Sequence, residues 1–142
     1  MGSIDREKVT QYEAEIREAR NVLAEITAGD IEDFIRDPMK IRAIKYTLIV
    51  PVEAICNLCW HILTKKAHIV VEEYMEALLK MQEKGFLSEE IASLLIPLIK
   101  LRHQLIHDYW KTDDRRLFLE TKSNLKTIDK FVSEINQTLF DT

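Results

Sequence analysis

Along residues 4–26, Ile4, Val9, Tyr12, Ile16, Ala19, Leu23 and Ile26 recur every three to five positions between Glu, Lys and Arg. That spacing gathers them on one side of a helix and predicts an amphipathic helix. Gly29, two residues past Thr27, suits its C-terminal cap. Asp30 can cap a short following helix that ends near Asp37 and Pro38. Residues 39–63 differ in kind. They are apolar on nearly every side, which predicts a central, buried helix, and Pro51 should kink it by removing a backbone hydrogen bond. Lys65, Lys66 and the stretch around His68 are expected to form a loop. Residues 70–84 predict a third major helix closed by Gly85. Ser88, Glu89, Glu90 and Ile91 open a fourth, with serine as N-cap and acidic residues in the first turn. It is expected to run through Pro97, with another kink, to about Trp110. Asp113 and Asp114 begin a last helix whose core face is Leu117, Leu125, Ile128, Phe131, Val132, Ile135 and Leu139.

This pattern predicts an all-α, up-and-down bundle of about five helices. Three glycines and three prolines are too few for a turn-rich β-sandwich, and 142 residues fit a single domain, 1–142. The longest apolar run, residues 46–55, is interrupted by Pro51 and Glu53. It falls far short of the roughly 20 residues that span a bilayer, so no membrane association is expected. The polar residues 1–11 lack the apolar centre of a secretory signal. Two closely spaced cysteines without an export signal suit a reducing interior, so a cytoplasmic location is expected. The net charge of −4 gives no global sign of nucleic-acid binding; affinity for RNA would have to come from a local basic patch.

Chemistry concentrates in Arg102-His103-Gln104-Leu105-Ile106-His107-Asp108-Tyr109. On a helical wheel with Arg102 at zero, Leu94, Leu98, Leu101 and Leu105 fall between about 260° and 320°, a core stripe. Leu95, Ile99 and Ile106 fall between about 20° and 60°, a second apolar stripe, with Arg102 between the two. His103 and His107 follow at about 100° and 140°, and Tyr109 returns to about 340°. A guanidinium in a mostly apolar arc is costly unless paired. A second apolar face is expected to be buried, most simply by a twofold partner. A purely structural account also stands: Arg102 would pair with a carboxylate such as Glu53, and His107 would favour the helix C-terminus.

Arg102-x4-His107 resembles the Arg-x(4–6)-His motif of HEPN-domain ribonucleases, with a polar residue, here His103, after the arginine. The full octapeptide is similar to the Arg-Asn-x-Leu-Val-His-x-Tyr signature of the HepT-like toxin branch. Tyr74, the Leu-rich helix after it, Gly85 and Ser88-Glu89-Glu90 resemble the same branch. So do Asp30-Ile31-Glu32-Asp33-Phe34 and Val52-Glu53-Ala54-Ile55. The resemblance runs in order over nearly the whole chain. His103 stands where asparagine is commonest in the branch.

The resemblance implies a HEPN-like homodimer that cleaves RNA without metal or cofactor, through attack of a ribose 2′-hydroxyl on the adjacent phosphorus. His107 would be the principal base or acid, Arg102 the phosphate clamp, and His103 a positioning group. Arg102 and His107 lie about 140° apart on a regular helix, so they need not converge within one chain, whereas two antiparallel copies across a twofold could bring them together. The resemblance also implies that Tyr109 accepts AMP from a partner antitoxin, a minimal nucleotidyltransferase; a tyrosine that merely covers the core stripe is the alternative. Lys100, Lys111, Arg115 and Arg116 flank the motif as either a basic patch for RNA or a solvated face. Cys56-x2-Cys59 with His61 is only half a zinc site, and buried thiols are expected instead. His103-x3-His107 is spaced for a metal, but no carboxylate obviously completes it. Trp60 and Trp110 are expected at the core or an interface rather than as base-stacking platforms. Two rivals remain: a non-catalytic HEPN module that binds a nucleotidyltransferase, which His103 favours, and a purely structural bundle.

Overall fold

The computed structural model describes residues 4–140. They form six α-helices: α1 Arg6–Thr27, α2 Ile31–Ile35, α3 Pro38–Ala67, α4 Tyr74–Glu83, α5 Glu89–His107 and α6 Asp114–Phe140, with a short 3-10 turn at Tyr109–Lys111. The five major helices match the expected all-α bundle, with α2 as the short connecting helix. Central α3 packs against α1, α2, α4 and α5, and α6 closes the bundle against α1 and α5.

Local chemistry sets most boundaries. Asp5 accepts from the Lys8 amide at 3.1 Å to open α1, and Asp30 accepts from the Glu32 amide at 3.0 Å to open α2. Asp37 caps the next helix, with Pro38 at its first position, where a missing amide costs nothing. Ser88 caps α5 by accepting from the Ile91 amide at 3.2 Å. Asp113 accepts from Arg115 and Arg116 amides at the start of α6. Gly85, at φ 80°, ends α4 as expected, with the Phe86 and Leu87 amides bonded to the Met81 carbonyl. Gly29 does not serve as a left-handed cap: Ala28 ends α1 in a right-handed conformation.

Three further expectations need correction. Lys65 and Lys66 are not in a loop but in the last turn of α3, where lysine ammonium groups complement the helix dipole. His68, at φ 55°, makes the left-handed turn instead, and the Ile69 amide bonds back to the Leu63 carbonyl at 3.1 Å. Residues 70–73 are consequently non-helical and α4 starts at Tyr74. Finally, α5 stops at His107 rather than Trp110, because Asp108 leaves helical geometry at φ −134°, ψ 49°.

The core runs through all six helices, from Ile16 and Leu23 of α1 through Ile44, Leu48, Ile55, Leu58 and Ile62 of α3 to Phe131 and Ile135 of α6. Phe34 of α2 meets Phe118 of α6 with ring centroids 5.1 Å apart. Both α3 and α5 continue as helices through Pro51 and Pro97. By length and composition α3 could cross a membrane, yet 61% of its most apolar stretch is buried against its neighbours, as suits a core helix. Cys56 and Cys59 are free, buried thiols as expected, and burial pushes the Cys56 thiol up to about 12. His61 accepts from the Asp5 amide at 3.2 Å, tying α3 to the start of α1.

Candidate active site

The C-terminal half of α5 carries Arg102, His103 and His107 on one rigid element. Leu98, Leu101 and Leu105 face the core as the wheel predicts, whereas Leu94 is 36% exposed. The second stripe divides. Leu95 and Ile99 are buried inside this chain's own fold, so only Ile106, 43% exposed, is left for a partner to cover. The extra apolar face is therefore mostly an inner face, met by α3 and α4.

Arg102 is the most constrained member of the motif. Only 15% of its side chain is exposed, and Nη2 donates to Glu53 Oε1 at 2.9 Å across the α3–α5 contact. Its guanidinium carbon lies 4.4 Å from the centroid of the Tyr74 ring, at the first residue of α4. The pairing with Glu53 follows from the rule that a cation among apolar neighbours needs a counter-charge. Tyr74 adds a flat, polarisable surface that suits a guanidinium more than an ammonium. Burial raises the Tyr74 phenol above its usual range, and the nearby Arg102 cation opposes the shift.

His103 and His107, one helical turn apart, are both exposed, with ring centroids 4.2 Å apart and planes tilted by 42°. Two imidazoles open to solvent beside a fixed guanidinium can exchange protons with a bound substrate and hold negative charge. Among the described residues no group of three or more His, Cys, Asp or Glu is arranged to hold a metal ion.

Tyr109 sits just beyond the break in α5. Its ring is half-buried, with the Lys45 ammonium 4.3 Å from its centroid, and Lys45 Nζ also donates to the Tyr109 carbonyl at 3.1 Å. Thr112 donates to the same carbonyl at 3.1 Å. Lys45 is only 7% exposed; in the sequence it is one of three basic residues near the start of α3, with Lys40 and Arg42, and nothing in the pattern sets it apart. Trp110 meets Tyr109 edge-on and is 88% exposed, so it lies outside the core of this chain.

The flanking cations separate. Lys100 lines a 530 Å³ cleft together with Arg102, His103, Trp60 and Tyr74. Arg115 pairs with Glu32 at 2.8 Å, Arg116 with Glu120 at 2.6 Å, and Lys111 lies 4.0 Å from Asp108. Their charges are thus partly offset locally; Lys100 shares its cleft with Arg102 and His103, whereas Lys111 and Arg116 line a smaller one with Gln104.

Comparison with solved structures places this fold among several chains of known architecture. It superposes with a TM-score of 0.83 on a toxin-antitoxin crystal structure with AMP-PNP, at 15% identity, over 90% of this chain and 97% of that one. A cytosolic protein of unknown function, YutE from Bacillus subtilis, gives 0.83 at 15% identity over 100% and 97%. A tri-AMPylated Shewanella oneidensis HEPN toxin in complex with MNT antitoxin gives 0.83 at 16% identity over 91% and 96%. No curated protein matches by sequence. A family model described as Ribonuclease HepT-like matches residues 13–135, which span the bundle from α1 to α6 and include every residue of the site, so the chain belongs to the HepT-like ribonuclease family.

Proposed function

We propose that this chain is a metal-independent endoribonuclease, the toxin of a cytoplasmic toxin–antitoxin pair whose partner is a minimal nucleotidyltransferase. The observation that carries the reading is a largely buried, fixed Arg102 and two exposed imidazoles on the same helix end. Membership of the HepT-like family and the fold shared with a HEPN toxin bound to an MNT antitoxin support it.

In this reading His107 removes the proton from a ribose 2′-hydroxyl. The 2′-oxygen attacks the adjacent phosphorus and the bond to the 5′-oxygen breaks. The leaving oxygen takes a proton from water, giving a 2′,3′-cyclic phosphate and a 5′-hydroxyl. Arg102 presents its fork of donors to the phosphate oxygens as charge builds, while Glu53 and Tyr74 hold that fork still. His103 positions the phosphate. Arg102 and His107 are about 140° apart around the helix, so a homodimer joins the arginine of one copy to the histidine of the other.

Tyr109 is the proposed acceptor of AMP from the nucleotidyltransferase. An added phosphate next to the motif repels RNA and blocks the approach, and Lys45 stands ready as its counter-charge. Co-expression with the nucleotidyltransferase should add AMP mass to the wild type and none to Tyr109→Phe.

The deciding experiment compares wild type with His107→Ala on RNA in EDTA. Loss of roughly 10²–10⁴-fold in rate, with cyclic-phosphate ends from the wild type, is expected. Undiminished cleavage by a folded His107→Ala dimer refutes the assignment. A second reading, a non-catalytic module that binds the nucleotidyltransferase, draws on the Arg102–Glu53 pair, which already occupies part of the guanidinium. No cleavage by the wild type with retained nucleotidyltransferase binding would favour it.

A further inference from the structure

The 530 Å³ cleft beside the motif has a composition that phosphate chemistry alone does not need. One wall is a run of three planar groups. The Trp60 and Tyr74 rings stack with centroids 5.1 Å apart and planes within 29°, and the Arg102 guanidinium lies against Tyr74. Met75 and Ile99 add apolar surface. Charge is divided along the cleft: Lys100, Arg102 and His103 come from α5, and Glu72 and Glu73 from the segment before α4.

A ligand that matches this cleft is flat, anionic at one end, and carries a hydrogen-bond donor at the other. We propose that the cleft seats an unpaired nucleobase of the RNA, with its adjoining phosphate on Arg102 and Lys100 and an exocyclic amine donating to Glu72 or Glu73. This rests on the RNA reading of the motif and goes beyond it by assigning a specificity subsite. Stacking on the aromatic wall is indifferent to base identity because every base has a flat face. The carboxylates are not indifferent: they accept from the amines of adenine, cytosine and guanine, whereas uracil offers a carbonyl there, which they repel. The subsite therefore favours single-stranded RNA with an amine-bearing base next to the cleaved phosphate.

The test reads base contact without depending on cleavage. The chain has two tryptophans, and Trp110 is exposed, so Trp110→Phe leaves Trp60 as the sole tryptophan reporter in a folded protein. That protein is titrated with 2′-O-methyl oligonucleotides of about eight residues, which cannot be cut: an oligo-C, an oligo-U and an abasic strand of equal charge. Quenching of Trp60 emission by oligo-C is expected, with binding about tenfold tighter than for oligo-U and tighter still than for the abasic strand. Lys100→Glu should weaken all three strands, since it acts on the phosphate. CMP that quenches Trp60 as strongly as oligo-C would assign the base site to free nucleotides rather than to a strand, and would overturn the RNA subsite. Equal binding of oligo-C and the abasic strand, with Trp60 emission unchanged, would overturn the base site altogether. Neither result would bear on cleavage, which the His107→Ala assay decides separately.

Discussion

In the proposed function one side chain, Arg102, serves both stability and chemistry. Its guanidinium is held from one side by Glu53 and faces the Tyr74 ring, so it arrives at the cleft already oriented. Glu53→Ala leaves a mostly buried cation without its partner. The expected loss is about 1–2 kcal/mol, reduced from the fully buried case because Glu53 itself is 46% exposed. Urea unfolding measures that loss, and RNA cleavage should fall with it as the fork loosens. This pairing was legible in the sequence, because a charge among apolar neighbours on each of two helices predicts that they meet. The Lys45–Tyr109 contact was not legible, since it depends on the chain leaving the helix at Asp108, a local backbone choice that residue pattern did not signal. His61 offers a second residue-scale prediction. Burial, with Lys8 and Lys65 nearby, lowers its folded-state pKa below the ordinary 6.5, while Asp5 opposes the shift. Below pH 6.5 the unfolded chain therefore binds more protons at this position than the folded one, so stability falls as pH drops from 6.5 toward the lowered value. His61→Gln keeps an acceptor for the Asp5 amide but cannot titrate. Urea midpoints between about pH 7.5 and 5.5 should then fall less steeply for the variant than for the wild type.

At the scale of elements, the helices with a one-sided or all-round apolar pattern were readable, and the places where they end were less so. The left-handed turn at His68 explains the difference. Lysines at 65 and 66 look like a solvated loop in a list of polar residues, yet they extend α3 because the real stop signal is a left-handed residue that is not glycine. Histidine in that conformation is strained by about 1–2 kcal/mol, of which glycine's greater unfolded-state freedom offsets part. His68→Gly is therefore expected to stabilise the protein by about 0.5–1 kcal/mol, read as a rise in the urea midpoint at constant slope. A lower midpoint would mean that the exposed His68 side chain makes a contact worth more than the strain. The second stripe on α5 carries the same lesson in a different form. A helical wheel reports which residues share a face, but not whether the face meets a neighbour of the same chain, and Leu95 and Ile99 are buried inside this one, where α3 and α4 pack against α5. Half of the argument for a twofold partner is removed by that packing.

For the whole molecule, what remains of that argument is a small exposed rim around the motif, in which Ile106 and Trp110 flank His107 and Tyr109. If a catalytic centre forms there from two copies, its composite nature has a stoichiometric consequence that a self-contained site cannot imitate. Arg102→Ala and His107→Ala subunits are each inactive as homodimers. A mixed dimer regains one complete site, since the arginine of one copy meets the histidine of the other, while its second site lacks both groups. Random exchange in an equal mixture makes about half of the dimers mixed, each with one of two sites restored, so activity should recover to about a quarter of wild type. The recovery should follow the kinetics of subunit exchange and vanish for Ile106→Glu, which places a charge in the rim and should leave a folded monomer. Recovery to a quarter, timed by exchange, would establish the seam as the catalytic centre. No recovery in a mixture shown to contain mixed dimers would mean that Arg102 and His107 act within one chain or not in catalysis at all, and the guanidinium would then revert to the structural role that its bond to Glu53 already performs.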